Sequence, residues 1–138
     1  MIWKIFLFIT LISVFATIPA PANNLSKSLP TGTWGGKHIR LDVLESGATV
    51  EYDCAFGTID EPLLLDENNH LKALGTYVFE RGGPRQIGEP PPKKHAALYC
   101  GWTDGHQMRL TVKLSETQEV VGTFSLCLGC PPRLEKCL

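Results

Sequence analysis

An excess of charge of either sign is missing: 13 Lys and Arg stand against 14 Asp and Glu in 138 residues. Both signs are scattered, and Lys93-Lys94 is the only adjacent basic pair. A nucleic-acid surface needs a basic stripe to neutralise phosphates, so no nucleic-acid partner is expected, nor electrostatic attachment to a membrane. Helical periodicity is also missing, with no convincing segment of ten or more residues, which excludes a helical bundle or a coiled coil. Long apolar runs are missing after the N-terminal segment, so nothing later approaches the ~20 residues that cross a bilayer. Catalytic and metal signatures are missing too. His38, His70, His95 and His106 show no H-x-H or H-E-x-x-H spacing. Ser115 and Ser125 lack a nucleophile elbow, and Gly-x-Ser-x-Gly is absent. The sequence therefore implies no enzyme, no cofactor and no metal.

What is present begins with a secretory signal over residues 1–22. Lys4 supplies a positive start, Ile5 to Ala16 an apolar run, and Ala20-Pro21-Ala22 an A-x-A cleavage site. Cleavage leaves 116 residues, 21 of them Gly or Pro, enough for one small core in a turn-rich chain that is secreted or periplasmic. Residues 23–31 read as a flexible leader and residues 32–138 as a single domain.

That domain is dominated by alternation with a period of two. The apolar sets are Ile39, Leu41, Val43; Val50, Tyr52, Cys54, Phe56; Leu71, Ala73, Gly75, Tyr77, Phe79; and Ala96, Leu98, Cys100, Trp102. Met108, Leu110, Val112, Leu114 and Val120, Gly122, Phe124, Leu126, Leu128 follow. Each set predicts a half-buried strand. Directly opposed residues must face the same way. This makes Ser46-Gly47 the first hairpin turn, pairing Val43 with Val50, and Asp104-Gly105-His106 a three-residue loop, pairing Cys100 with Leu110. Glu116-Thr117-Gln118 sets Leu114 against Val120 and Val112 against Gly122. Asp60 to His70 has room for a short extra strand. Arg81 to Lys94, with Gly82-Gly83-Pro84 and Pro90-Pro91-Pro92, reads as a long exposed loop. The expected fold is all-β, a small antiparallel up-and-down barrel of six to eight strands in meander order, with Gly75 and Gly122 facing inward.

Export places Cys54, Cys100, Cys127, Cys130 and Cys137 where disulfides persist. Five cysteines leave at least one unpaired. A Cys54–Cys137 bridge is preferred, because it staples the C-terminus to an early strand. Cys127-Leu-Gly-Cys130 has redox or zinc spacing, but Pro131-Pro132 follows where a redox motif opens a helix, and a second ligand pair is missing. Cys100 and Cys127 fall on opposite faces, which disfavours bridging them and leaves Cys100 as a buried free thiol.

Gly32-Thr33-Trp34 resembles the G-x-W opening of calycin barrels, the lipocalin and avidin group, in which the tryptophan plugs one end. A broader likeness is to an uncharacterised group of small secreted bacterial proteins. It rests on Gly32 to Gly36, Asp53-Cys54-Ala55-x-Gly57-x-Ile59, Gly83-Pro84 and Lys136-Cys137-Leu138. These resemblances imply a compact calycin-like barrel and the same Cys54–Cys137 pair, and they carry no activity.

Two candidate sites remain. The outward set His38, Arg40, Asp42 with Glu51 and Asp53 is either a polar functional face or ordinary surface ion pairing. The second is the Arg81–Lys94 loop over the barrel mouth, with Arg81 and Arg85 as planar donors for an anion and Tyr77, Phe79, Trp102 and Phe124 as an apolar lining. The expected function is a non-enzymatic module that binds a small ligand at that mouth. The alternative is a module that acts on an extracellular or periplasmic protein, such as a protease, through an exposed loop.

Overall fold

A computed structural model describes residues 13–20 and 26–137. The expected signal segment therefore lies mostly outside the described residues. Among those described, no helix is long and apolar enough to cross a membrane.

The chain forms β1 (Lys27–Ser28), β2 (Gly32–Gly36), β3 (Ile39–Leu44), β4 (Gly47–Tyr52), β5 (Ala55–Ile59), β6 (Leu64–Leu65), β7 (His70–Phe79), β8 (Lys94–Thr103), β9 (Gln107–Leu114) and β10 (Val120–Leu128). Eight of them close an antiparallel ring in the order β2-β3-β4-β5-β7-β8-β9-β10, sealed where β10 pairs back onto β2. The short strands β1 and β6 pair with each other outside the ring, and β6 touches β7 through Leu65 and Leu71. This is the expected up-and-down barrel. The expected leader is not loose throughout, since β1 is paired and Leu29 is buried.

A ring this narrow is filled by its own side chains. Trp34, Ile39, Leu41, Tyr99, Leu110 and Val112 are at most 1% exposed. Trp34 donates its indole N–H to the Pro30 carbonyl at 3.0 Å. Tyr99 crosses the interior, its hydroxyl donating to the Thr76 carbonyl at 2.6 Å and meeting the Tyr52 hydroxyl at 3.1 Å. Burial pushes both phenols up, Tyr99 to about 12. Gly57 and Gly75 make room for that ring. A Cβ on Gly57 would stand 2.6 Å from the Tyr99 hydroxyl, and one on Gly75 2.9 Å from the Tyr99 ring.

Four sequence expectations need correction. The run Val50 to Phe56 is not one strand: Asp53-Cys54 is a two-residue turn between β4 and β5, and it sends Phe56 outward, 42% exposed. The first hairpin turns at Glu45-Ser46, so Val43 faces Ala48 and Leu41 faces Val50, two positions away from the expected register but with the same faces. The face of β8 is reversed. Ala97, Tyr99 and Thr103 point inward, while Leu98, Cys100 and the 44%-exposed Trp102 point outward. The cause is the four-residue turn Asp104–Gln107, which pairs Thr103 with Met108 and Cys100 with Thr111. Asp104 Oδ1 accepts the His106 and Gln107 amides at 2.8 and 2.7 Å, and the buried Thr103 hydroxyl donates to the Gln107 carbonyl. Finally, Val120 pairs with Lys113 rather than Leu114, because a bulge at Val121 shifts the start of β10. Val112–Gly122 pairs as expected.

Two disulfides form, Cys54–Cys137 and Cys127–Cys130, and Cys100 is free. Cys100 is half-buried rather than buried, as the reversal of β8 requires. The short bridge closes the reversal at Gly129 (φ 78°) that sends the C-terminal tail back along β2. Arg133 donates its amide to the Gly36 carbonyl, and the His38 amide donates to the Arg133 carbonyl. The long bridge then ties the tail to the β4–β5 turn. Two bridges in a chain of this size point to an oxidising, extracytoplasmic compartment.

Candidate functional site

In an up-and-down ring, alternate connections gather at one end. The turn Lys37-His38, the turn Asp53-Cys54, the loop 80–93 and the turn 115–119 therefore share an end, here termed the mouth. The loop 80–93 is the long exposed connection expected from its glycines and prolines.

The loop is braced from within. Arg81 Nη2 pairs with Glu89 Oε1 at 2.9 Å, and Arg85 Nη2 donates to the Pro90 carbonyl at 3.0 Å. The Gln86 amide donates to Glu89 Oε2 and the Glu89 amide to the Gln86 carbonyl. The Glu80 amide donates to the Cys54 carbonyl at 2.8 Å, which joins the loop to the β4–β5 turn.

Beneath the loop runs an open groove of about 760 Å³, whose walls include Phe56, Phe79, Arg85, Lys93 and His95 together with Glu80 and the Arg81–Glu89 pair. Phe79 shares the inner face of the ring with Ala55, but it is the last residue of β7, at the rim, and is 58% exposed. A second groove of about 510 Å³ adjoins the first across Phe79, Lys93 and His95, and it reaches Tyr77 and Glu119. Tyr77 and His95 are cross-strand partners. Burial, helped by the Glu119 carboxylate, raises the Tyr77 phenol above its ordinary value.

The six residues singled out from the sequence are thus divided. Phe79, Arg81 and Arg85 meet around one groove, and Tyr77 lines the adjoining one. Phe124 belongs to the packing below, its ring centroid 5.7 Å from that of Tyr52, which also holds Tyr77 edge-on at 5.3 Å. Trp102 is separate, on the outer face beside the turn at the opposite end. Phe56 and His95 join the mouth unannounced by the sequence pattern, and Lys93 enters it from the loop already expected there. The β4–β5 turn that exposes Phe56 breaks no alternation, and Lys93 and His95 read as loop and strand-end residues. Among the described residues, Trp34, Tyr52 and Tyr99 occupy the interior.

No protein-family model, no curated protein and no solved structure matches the chain. The geometry of the mouth therefore carries the functional argument alone.

Proposed function

We propose that this small β-barrel protein is an exported, non-catalytic binding module of calycin-like kind, and that it takes a small ligand at the barrel mouth. The observation that carries the reading is the convergence of two exposed rings, Phe79 and Phe56, with Arg85, Lys93 and His95 along one groove under a braced loop. Exposed aromatic surface flanked by Arg85, Lys93 and His95, with the Glu89 carboxylate held by Arg81, suits a ligand with a flat apolar part and an anionic group. Because the interior is filled, the ligand lies across the mouth rather than inside the ring.

Anilinonaphthalene sulfonate, which combines fused rings with a sulfonate, is a direct probe. Its fluorescence should rise with saturation at one site on the wild-type protein. Phe79→Ser should weaken binding at least tenfold, and Trp102→Ser should leave it unchanged. Absence of saturation, or equal loss in the two variants, would overturn the reading.

A second reading has one observation of its own. Ile87 stands fully exposed at the tip of the loop, next to Gly88 at φ 87° and between the bonded residues Gln86 and Glu89. A braced turn that displays one aliphatic side chain suits insertion into a pocket of an extracytoplasmic protein such as a protease. Inhibition of a protease by the wild-type chain but not by Ile87→Asp would favour it over the first reading.

A further inference from the structure

The geometry points to a binding site for a first-row transition dication such as Zn²⁺, formed by His38, Asp53 and Glu135. These residues come from three separate segments: the β2–β3 turn, the β4–β5 turn and the C-terminal tail. One donor atom from each lies within 4.8 Å of the other two. A tetrahedral ion with ligand bonds near 2.0–2.2 Å needs donors roughly 3.3 Å apart, so modest side-chain adjustment would seat it. One imidazole nitrogen with two carboxylates favours zinc and its neighbours over Mg²⁺ or Ca²⁺, which prefer all-oxygen shells. Three protein ligands leave a coordination position for water or for an anionic ligand at the mouth.

A second observation bears on the same point. His38 Nδ1 is shielded from solvent and faces Asp53 Oδ2 at 2.5 Å. An imidazole nitrogen and a carboxylate oxygen this close share a proton or give way to a shared cation, and a dication would draw them apart to the spacing of two ligands. The surrounding basic groups do not fill that role. Arg40 is paired with Asp42 at 2.8 Å, and Lys136 is paired with Glu51 at 2.7 Å while donating to the Tyr52 carbonyl.

The ligands are also fixed in advance. Asp53 precedes Cys54 and Glu135 lies two residues before Cys137, so the disulfide holds both close together. The Glu135 amide donates to Asp53 Oδ1 at 2.8 Å, and the His38 amide is held by Arg133. Such support from neighbouring groups is what keeps a metal site in register.

The test is zinc titration of the full oxidised chain after removal of metals with EDTA, followed by calorimetry. One Zn²⁺ per chain is expected. Glu135→Gln should weaken it at least tenfold without loosening the tail, whose backbone bond to Asp53 remains. His38→Asn, which tolerates the positive φ of 67° at that position, should do the same. His106→Asn, at the other end, should bind like the wild type. Cobalt loading gives an independent readout, with visible absorption bands in the wild type that Glu135→Gln abolishes. Failure to saturate at one ion, unchanged affinity in both ligand variants, or displacement of zinc by equimolar Mg²⁺ would overturn the proposal.

Discussion

The two disulfides do different amounts of work, and the difference is large enough to measure. Cys54 and Cys137 are 83 residues apart, whereas Cys127 and Cys130 are 3 apart. In the chain-entropy model the long bridge removes about 4.5 kcal/mol of unfolded-state freedom at 25 °C, and the short one about 1.6 kcal/mol. A folded domain of this size has an unfolding entropy of roughly 0.23 kcal/mol/K at its midpoint, so the two losses translate to about 20 °C and 7 °C. The assay is thermal unfolding followed by circular dichroism, with Cys54→Ser/Cys137→Ser compared with Cys127→Ser/Cys130→Ser. Local loosening should accompany the first variant. The amides of Arg133, Glu135 and Cys137, which donate to the Gly36 carbonyl, Asp53 Oδ1 and the Asp53 carbonyl, should exchange faster with solvent. Equal midpoint shifts would refute the reasoning, because loop length would then not govern the effect. A larger shift for the short bridge would refute it more sharply, by making the Gly129 reversal the dominant restraint.

Further predictions concern the interior and the turns. Tyr52 and Tyr99 hold their protons more tightly when folded than the unfolded value near 10, so the stability they contribute is complete below pH 10 and falls as pH rises beyond it. By pH 12 the suppressed ionisation costs about 3 kcal/mol for Tyr52 and about 2 kcal/mol for Tyr99, and Tyr52→Phe should flatten the alkaline arm of a denaturant-midpoint profile. Gly57→Ala places a Cβ 2.1 Å from the Thr76 carbonyl and should destabilise by about 3 kcal/mol or prevent closure of the ring, read by urea unfolding. The amides of Gln107 and His106 hold the Asp104 carboxyl below its ordinary value. Its stabilising effect is therefore present above about pH 4 and lost as pH falls through the lowered value. Asp104→Asn should remove that part of the acid sensitivity without shifting the alkaline arm.

Most of the architecture was legible because a half-buried strand writes its two faces into alternate residues. Strands β3, β7, β9 and β10 carry that pattern, and the Arg81–Lys94 loop announces itself by its prolines and glycines. The failures have particular causes. Strand β2 is Gly-Thr-Trp-Gly-Gly and has too few side chains to alternate, and the Asp53-Cys54 turn hid β5 inside an unbroken pattern. In β8 the outward set Leu98, Cys100 and Trp102 is more apolar than the inward set. The inner face there needs a hydrogen-bonding tyrosine and small residues, and hydrophobicity alone selects the wrong side. At the mouth, Phe79, Arg81 and Arg85 could be read from the loop and the end of β7. His38 and Asp53 stood out as part of a polar face, but Glu135 joins them only through the tail that Cys137 anchors.

The ring is sealed by its first and last strands, Trp34 of β2 meeting Leu128 of β10. Every other neighbour in the barrel is reached through a short or moderate connection, so hairpins assemble locally and the seam must come last. Until β10 exists, β2 and β9 are open edges that can pair with another chain. A polypeptide cut short within its final strand would therefore keep most of its apolar core and still present two unpaired edges, a template for strand exchange with another chain.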